Sequence, residues 1–435
     1  MIWLLLACKG DVEETAAPEP ERAVTFSGDS PQNLLVLTLD TVRVQRLARY
    51  GGADTMPLLE ALLDQSVVLD DHRSCSNWTF SSMVCMLAGQ TAMDLAWSPW
   101  GADPDDLDRV PETVSLLAER LVRHGYRTAL VSSNPFLDPR YGFGQGFDDA
   151  WTLTDATADE VVVETLAFVE ELDVPGAPWM VHAHFMDPHT PYAPPEDYLD
   201  GRDELPDIPW TLTTPEGLDE LQAAWSELSA DEQAAVLQHL ELRYAGELRY
   251  LDDQLQRLLS GLDEAGSLDD TLVMIATDHG EQLFDRDDLG HGYTLHPEEA
   301  RALVAFWADD IVPLAWTEPT THIDVLPTVL TAMGLPPGKD WTGEIAGRAS
   351  PQRPVFAWRL AKEATRQDVT IGEVRLELQW DGSLSLYDRA TDPDELQDLY
   401  VAGDARAVEL WEHLAEPVEQ LSELYQGYAA EPVTP

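Results

Sequence analysis

Thr277-Asp278-His279-Gly280-Glu281 sets a carboxylate beside an imidazole, and that pair offers one oxygen and one nitrogen ligand to a divalent cation. The run before it, Leu272 to Ala276, is short, apolar and partly β-branched, and reads as a buried parallel strand. Asp278 and His279 therefore fall at a strand's carboxyl end, where open α/β sheets place their ligand sites. Asn33 to Leu39 repeats the pattern and ends on a second carboxylate, Asp40. An alcohol stands in the hydroxyl-rich run Asn77-Trp78-Thr79-Phe80-Ser81-Ser82, and imidazoles stand at His189 and His291. Cleavage of a phosphate or sulfate ester needs a nucleophile, a cation that activates it and offsets oxyanion charge, and a proton donor for the leaving oxygen. Thr79 is the candidate nucleophile. Asp40, Asp278, His279 and Thr79 itself are the candidate ligands of one divalent ion. His189 and His291 are candidate proton donors and substrate contacts, joined on the substrate side by Asp187 and Asn134. Each has a plainer reading: an N-cap threonine, a strand-end carboxylate, a loop histidine held by carbonyls. His182, His184 and Cys85 read as packing residues, and Trp78 and Trp341 as core or pocket wall.

These groups need rigid elements behind them. Met56 to Val68 has helical apolar spacing. Ser82 to Leu87 is helical, with Ser81 and Ser82 in its first turn and Thr79 ahead of it as N-cap. An amphipathic helix from Glu112 to His124 stops at Gly125, and the strand Arg127 to Asn134 follows. A helix over 159–172 leads into the strand Trp179 to Phe185, which opens into the proline-rich loop Met186 to Pro195. An acidic helical region runs from Pro215 to Gly266. The alternation of strands and helices predicts an α/β sheet covered on both faces. After about Gly343 the texture changes: Val374 to Trp380 and Ser383 to Tyr387 alternate apolar and polar around the turn Asp381-Gly382, a β-hairpin signal. A helix around Ala407 to Tyr425 completes a small α+β appendage. The expected division is a signal over 1–8, a flexible acidic tether over 9–31, a catalytic domain over 32–345 and a C-terminal subdomain over 346–435.

The chain carries 80 acidic against 26 basic residues, a net charge of -54. Such a surface repels nucleic acid, and an anionic substrate binds only where a cation reverses the local field. Three cysteines among 435 residues exclude a disulfide scaffold; Cys75 and Cys85 are free to pair, though nothing in the sequence requires it. Met1 to Ala7 is apolar and runs into Cys8, as in a bacterial lipoprotein signal, but it lacks a basic n-region and is too short to span a bilayer. Lipid-anchored, extracytoplasmic export through Cys8, periplasmic or on the outer membrane, is the expectation.

Several segments recur together as in a known family. Leu39-Asp40-Thr41-Val42-Arg43, Asn77 to Ser82 with Leu87-Ala88-Gly89, Asp187-Pro188-His189-Thr190-Pro191-Tyr192, Tyr250-Leu251-Asp252, Leu268-Asp269-Asp270-Thr271, Asp278-His279-Gly280-Glu281, Gly290-His291-Gly292, Asp324 to Thr328 and Tyr387-Asp388 to Leu396 follow one another in the family's order. The chain resembles the sulfatase family of the alkaline phosphatase superfamily. The resemblance implies a three-layer αβα sandwich with a mixed, mostly parallel central sheet and a smaller C-terminal antiparallel sheet. It also implies a metal-dependent hydrolase of sulfate or phosphate esters acting on a sulfated or phosphorylated glycan or lipid. Departures bear on the chemistry. Thr79 stands where true sulfatases carry the cysteine that becomes formylglycine, so formylglycine is not expected. Ser81 replaces the motif's proline, Met83 its basic residue, Thr41 a second aspartate and His291 a lysine. An unmodified threonine would form a covalent phospho- or sulfo-enzyme, as in phosphoesterase relatives. Alternatives are a transferase of phosphoglycerol or phosphoethanolamine onto envelope glycans, and a degenerate relative that binds anionic glycan without turnover. Oxygen-rich ligands favour Ca²⁺, Mg²⁺ or Mn²⁺.

Overall fold

Buried, β-branched strand sequences need cover on both faces, and the chain supplies it with helices. The computed structural model describes residues 23–97, 107–336, 338, 340–360 and 364–424. Eight strands form the central sheet in the spatial order Leu314–Trp316, Val67–Leu69, Val304–Trp307, Thr271–Thr277, Asn33–Leu39, Trp179–Phe185, Arg127–Ser132 and Asp149–Thr152. Asn33–Leu39 lies at the centre, parallel to both Thr271–Thr277 and Trp179–Phe185. Val304–Trp307 runs antiparallel to its neighbours, which makes the sheet mixed.

Alternation along the central strand feeds two cores. Leu35, Leu37 and Leu39 face one layer with the helices Ala158–Leu172 and Ala230–Ala265. Leu34 and Val36 face the other, with Thr79–Ala88 and Val325–Ala332. Each fully buried Leu or Val contributes on the order of 1.5–3 kcal/mol, so the sheet's register is tightly specified. The pairings Leu39↔Phe185 and Leu39↔Thr277 bring three strand ends level. Asp40, the loop after Phe185 and Asp278 therefore emerge on one rim.

Differences from the sequence reading are local. Met56 to Val68 divides into the helix Pro57–Leu63 and the strand Val67–Leu69. The Glu112 to His124 helix shrinks to Leu117–Val122, and Gly125 follows with φ 87°. The Pro215 to Gly266 region is two helices, Pro215–Ala224 and the 36-residue Ala230–Ala265, the second introduced by a Ser229–Glu232 capping box. The hairpin is present, Val374–Gln379 against Leu384–Asp388, within a four-stranded antiparallel sheet that packs on the helix Ala405–Leu424. Cys8 and most of the expected tether lie outside the described residues. The tether's last part is not loose: Ala23 and Val24 are buried and Phe26 bridges to Ile311, because their apolar side chains have a core to join. Among the described residues no helix is long and apolar enough to cross a membrane.

Candidate active site

Asp40 follows the central strand with both oxygens at 0% exposure, yet in different circumstances. Oδ2 accepts from Asn134 Nδ2 at 2.6 Å and from His184 Nε2 at 3.0 Å. Oδ1 is buried without a hydrogen-bond partner. Asp278 shows the same asymmetry: Oδ1 accepts the backbone N–H of Thr41 at 3.1 Å and of His279 at 2.7 Å, while Oδ2 is buried and unsatisfied. An orphaned carboxylate oxygen costs its full desolvation penalty. Burial and the charge of Asp40 push the Asp278 carboxyl up to about 7. Burial works the same way on Asp40, but the His184 hydrogen bond and neighbouring imidazoles outweigh it and hold that carboxyl well below the usual range. Together the two carboxyls behave as an anionic cradle waiting for positive charge. Ligand atoms of Asp40, Asp278 and His184 all lie within 4.8 Å of one another. The two carboxylate oxygens suit a hard divalent cation.

Thr79 stands beside them. Its Oγ1 is 3.2 Å from His279 Nε2, and His279 Nε2 is 3.4 Å from Asp278 Oδ2. The His279 Nδ1–H donates to Gly280 O at 2.8 Å, which leaves Nε2 with a lone pair directed at the threonine. Burial, helped by nearby His291, pushes this imidazole down to about 3 and keeps it neutral. Thr79 is the first helical residue of Thr79–Ala88, and Trp78 takes the N-cap position, so the expected N-cap role of Thr79 is corrected. The first-turn N–H groups of a helix have no intrahelical acceptor and favour an anion at its N-terminus, the end that carries Thr79. Cys75 and Cys85 form a disulfide that ties the approach segment to the helix.

The histidines arrive from two loops. The His291 ring lies 4.5 Å from that of His279 and 4.9 Å from that of His189. His291 Nδ1 donates to Glu281 Oε1 at 3.2 Å, and Tyr192 Oη donates to the other Glu281 oxygen at 2.6 Å. Burial opposes charge on His291, but Glu281 outweighs it, so the imidazole is raised above its ordinary value. Glu299 joins the two halves of the site: it accepts from Asn77 Nδ2 and from the backbone N–H of Gly292, Tyr293 and Thr294.

Thus Asp40, Thr79, Asp278, His279, His189 and His291 share one rim, as expected. Asn134 and Asp187, expected as substrate contacts, have polar groups engaged within the chain. Asn134 spends its amide on Asp40 and its Oδ1 on the N–H of Phe136 at 2.8 Å, so it positions the carboxylate. Asp187 faces Glu247 on the long helix; burial pushes Asp187 up to about 6, and burial with the Asp187 charge pushes Glu247 up to about 9. It serves the loop. His184 needs the opposite correction. It is buried as a packing residue would be, but Thr38 Oγ1, 2.7 Å from its Nδ1 and 2.9 Å from His182 Nε2, completes a polar chain that ends on Asp40. Glu281 and Glu299 had no role in the sequence reading.

Paired carboxylates, a hydroxyl and imidazoles gathered at strand ends are the parts of an ester-cleaving site. A model of the sulfatase family matches residues 32–335, and the chain belongs to that family of sulfuric- and phosphoric-ester hydrolases. It is 25% identical to a choline-sulfatase of Rhizobium meliloti (strain 1021) over 373 residues, 72% of this chain and 70% of that one. A structure determined in complex with its substrate D-glucosamine-2-N,6-O-disulfate superposes with a TM-score of 0.70 at 15% identity, covering 92% of this chain and 98% of the other. A phosphonate monoester hydrolase from Silicibacter pomeroyi gives 0.67 at 20% identity, covering 91% and 96%. These two likenesses concern the fold.

Proposed function

We propose that the protein hydrolyses sulfate or phosphate esters through a covalent threonyl intermediate, with Thr79 as nucleophile and one divalent cation at the Asp40–Asp278 cradle. The observation that carries this reading is the pair of orphaned oxygens, Asp40 Oδ1 and Asp278 Oδ2, buried next to a threonine hydroxyl. Asp40 and Asp278 would hold the ion, with His279 Nε2 and Thr79 Oγ1 in reach. His184 Nε2 is already spent as a donor to Asp40 Oδ2, which makes it a positioning group. When bound, the cation supplies Lewis-acid charge that lowers the hydroxyl's pKa and offsets charge on the ester oxygens.

The chain's own groups do the rest. The contact with His279 Nε2 fixes the Thr79 hydroxyl; His279 is held neutral and would keep its lone pair for the ion, so the proton the hydroxyl gives up leaves to solvent. Thr79 Oγ bonds to sulfur or phosphorus as the ester bond to the leaving alcohol breaks. His291, kept protonated by Glu281, donates to the departing oxygen. Neutral His291 then takes a proton from the water that hydrolyses the threonyl ester. His189 packs edge-on against His291 and lines the same approach.

The test is turnover of 4-nitrophenyl sulfate, 4-nitrophenyl phosphate and bis-4-nitrophenyl phosphate by purified protein, with and without a chelator. Cation-dependent turnover that vanishes in Thr79→Ala supports the reading. Equal rates in Thr79→Ala and wild type remove the nucleophile.

A further inference from the structure

Beside the reaction centre, a cavity of about 250 Å³ is lined by Asn77, Trp78, Ser81, His291, Arg359 and Leu360, among others. It shares His291 with the centre, and Trp78 and Ser81 flank Thr79 in sequence. Its far wall comes from the C-terminal sheet. Arg359 ends the strand Val355–Arg359, and that strand is fastened to the nucleophile segment: Trp358 N–H donates to Cys75 O at 2.9 Å, and Trp358 bridges Ser76. The position of Arg359 relative to Thr79 is therefore set by backbone hydrogen bonds. The guanidinium's hydrogen bonds run to two neutral carbonyls, Gly292 O and Ala364 O, while Glu299 and Asp288 act on its charge through space. In the same lining, the Trp78 ring is fixed by stacking on Phe80 at 5.7 Å and by an edge contact with Phe136 at 5.2 Å.

We propose that this cavity seats the alcohol part of the substrate, a saccharide carrying a second anionic group, and that Arg359 pairs with that second anion. The proposal rests on the ester-cleaving reading and adds the substrate class. An indole wall offers large, rigid contact area to the C–H face of a pyranose. The Ser81 hydroxyl and the guanidinium supply the few convergent polar groups that fix orientation in such a cavity. A net charge of -54 makes the rest of the surface repel a doubly charged ligand. A cation built into the wall next to the nucleophile selects for the second charge instead. Guanidinium–oxyanion pairs are bidentate and charge-assisted.

The experiment compares methyl glucoside 6-sulfate with methyl glucoside 2,6-disulfate. Wild type prefers the disulfate in kcat/KM, and Arg359→Gln lowers that preference about 10- to 100-fold, the range for one charge-assisted pair. Arg359→Lys, which keeps the charge, retains part of it. A preference unchanged in Arg359→Gln overturns the proposal, even if overall turnover falls, because Arg359 would then serve only the loop at Gly292. If wild type turns over neither sugar ester, the nitrophenyl esters decide the hydrolase reading separately, and calorimetric affinities for the same two sugars decide the cavity: an equal loss for both in Arg359→Gln overturns it, and a loss confined to the disulfate supports it.

Discussion

Two clusters of buried charge lie in this molecule, and they are built on opposite terms. Where the C-terminal sheet meets the main domain, Arg375, at 0% exposure, binds Glu395 with two bonds of 2.9 and 2.6 Å and reaches Asp368 at 2.9 Å and Glu377 at 2.6 Å. Arg73 adds a second bond to Asp368, Arg366 one to Glu377 and His296 one to Glu395. Every oxygen of the three carboxylates has a donor, the last being the Ala357 N–H on Asp368. At the rim, Asp40 and Asp278 are as deeply buried, but each keeps one oxygen with no donor. Three arginines neutralise three carboxylates in the first cluster; imidazoles and amides, with no arginine, frame two carboxyls in the second. Buried charge of itself therefore does not mark a functional centre. The mark is a buried carboxylate oxygen left without a donor, which among the described residues occurs only at Asp40 and Asp278, since a native structure tolerates that cost only where something else meets it.

Breaking the rim cluster should remove chemistry. Thr79→Ala is expected to lower kcat at least about 10³-fold, by analogy with other nucleophile deletions, while Thr79→Ser keeps measurable turnover because the hydroxyl remains. Steady-state kinetics with 4-nitrophenyl sulfate and phosphate read both. Breaking the closed cluster should instead remove stability. Arg375→Met leaves Glu395, Glu377 and Asp368 buried without their main cation, which is expected to cost about 3–5 kcal/mol. Denaturant titration measures the loss, and turnover at low temperature should stay near that of wild type.

The rim cluster's stability should depend on an added ion. A divalent cation at about 100 times its Kd is expected to add about 2.7 kcal/mol, seen as a rise in melting temperature that a chelator reverses. In Asp278→Asn the response to cation should disappear while the chelated protein is no less stable than chelated wild type, because the variant removes one of two like charges. A smaller effect is expected from Asn134→Ala, which frees Asp40 Oδ2 of one donor. Loss of such a supporting bond weakens metal affinity about 10- to 100-fold, and a cation titration of the melting temperature would show it.

How much of this was legible in the sequence follows from what is local. Asp40 and Asp278 announce themselves because each ends a run of buried apolar residues, and strand ends are readable from the chain alone. Thr79 and His279 gain meaning from segments that recur in family order. His184 was hidden because its place depends on register: only the pairing Thr38↔His184 and the level ends of adjacent strands put its ring against Asp40. The signal was nevertheless present, since two histidines within seven consecutive buried residues, Trp179–Phe185, each need a polar partner. Glu281 and Glu299 were missed for a similar reason. Their partners, Tyr192, His291 and Asn77, come from distant segments that only the folded chain assembles. The Arg375 cluster was equally illegible, as alternation in Val374–Gln379 showed a strand but not which charges face inward.

The dependence on pH separates the clusters by sign. In the closed cluster burial alone would raise Glu377, but the Arg375 charge outweighs it and lowers the carboxyl from 4.5 to about 2. A depressed carboxyl stabilises the fold above its unfolded value and loses that contribution as pH falls through the folded one. The contact between sheet and main domain should thus weaken between pH 4.5 and about 2. Asp278 is raised from 3.8 to about 7, by burial first and Asp40 second. A raised group contributes fully below its unfolded value and loses the contribution as pH rises through the folded one. Chelated protein should therefore lose stability between pH 4 and about 7, where a bound cation would hold it level. Melting temperatures across pH, with chelator and with Ca²⁺, Mg²⁺ or Mn²⁺, test both arms. A chelated curve flat from pH 4 to 7 would mean that neither burial nor Asp40 opposes charge on Asp278, and the case for a cation at the two carboxyls would go with it.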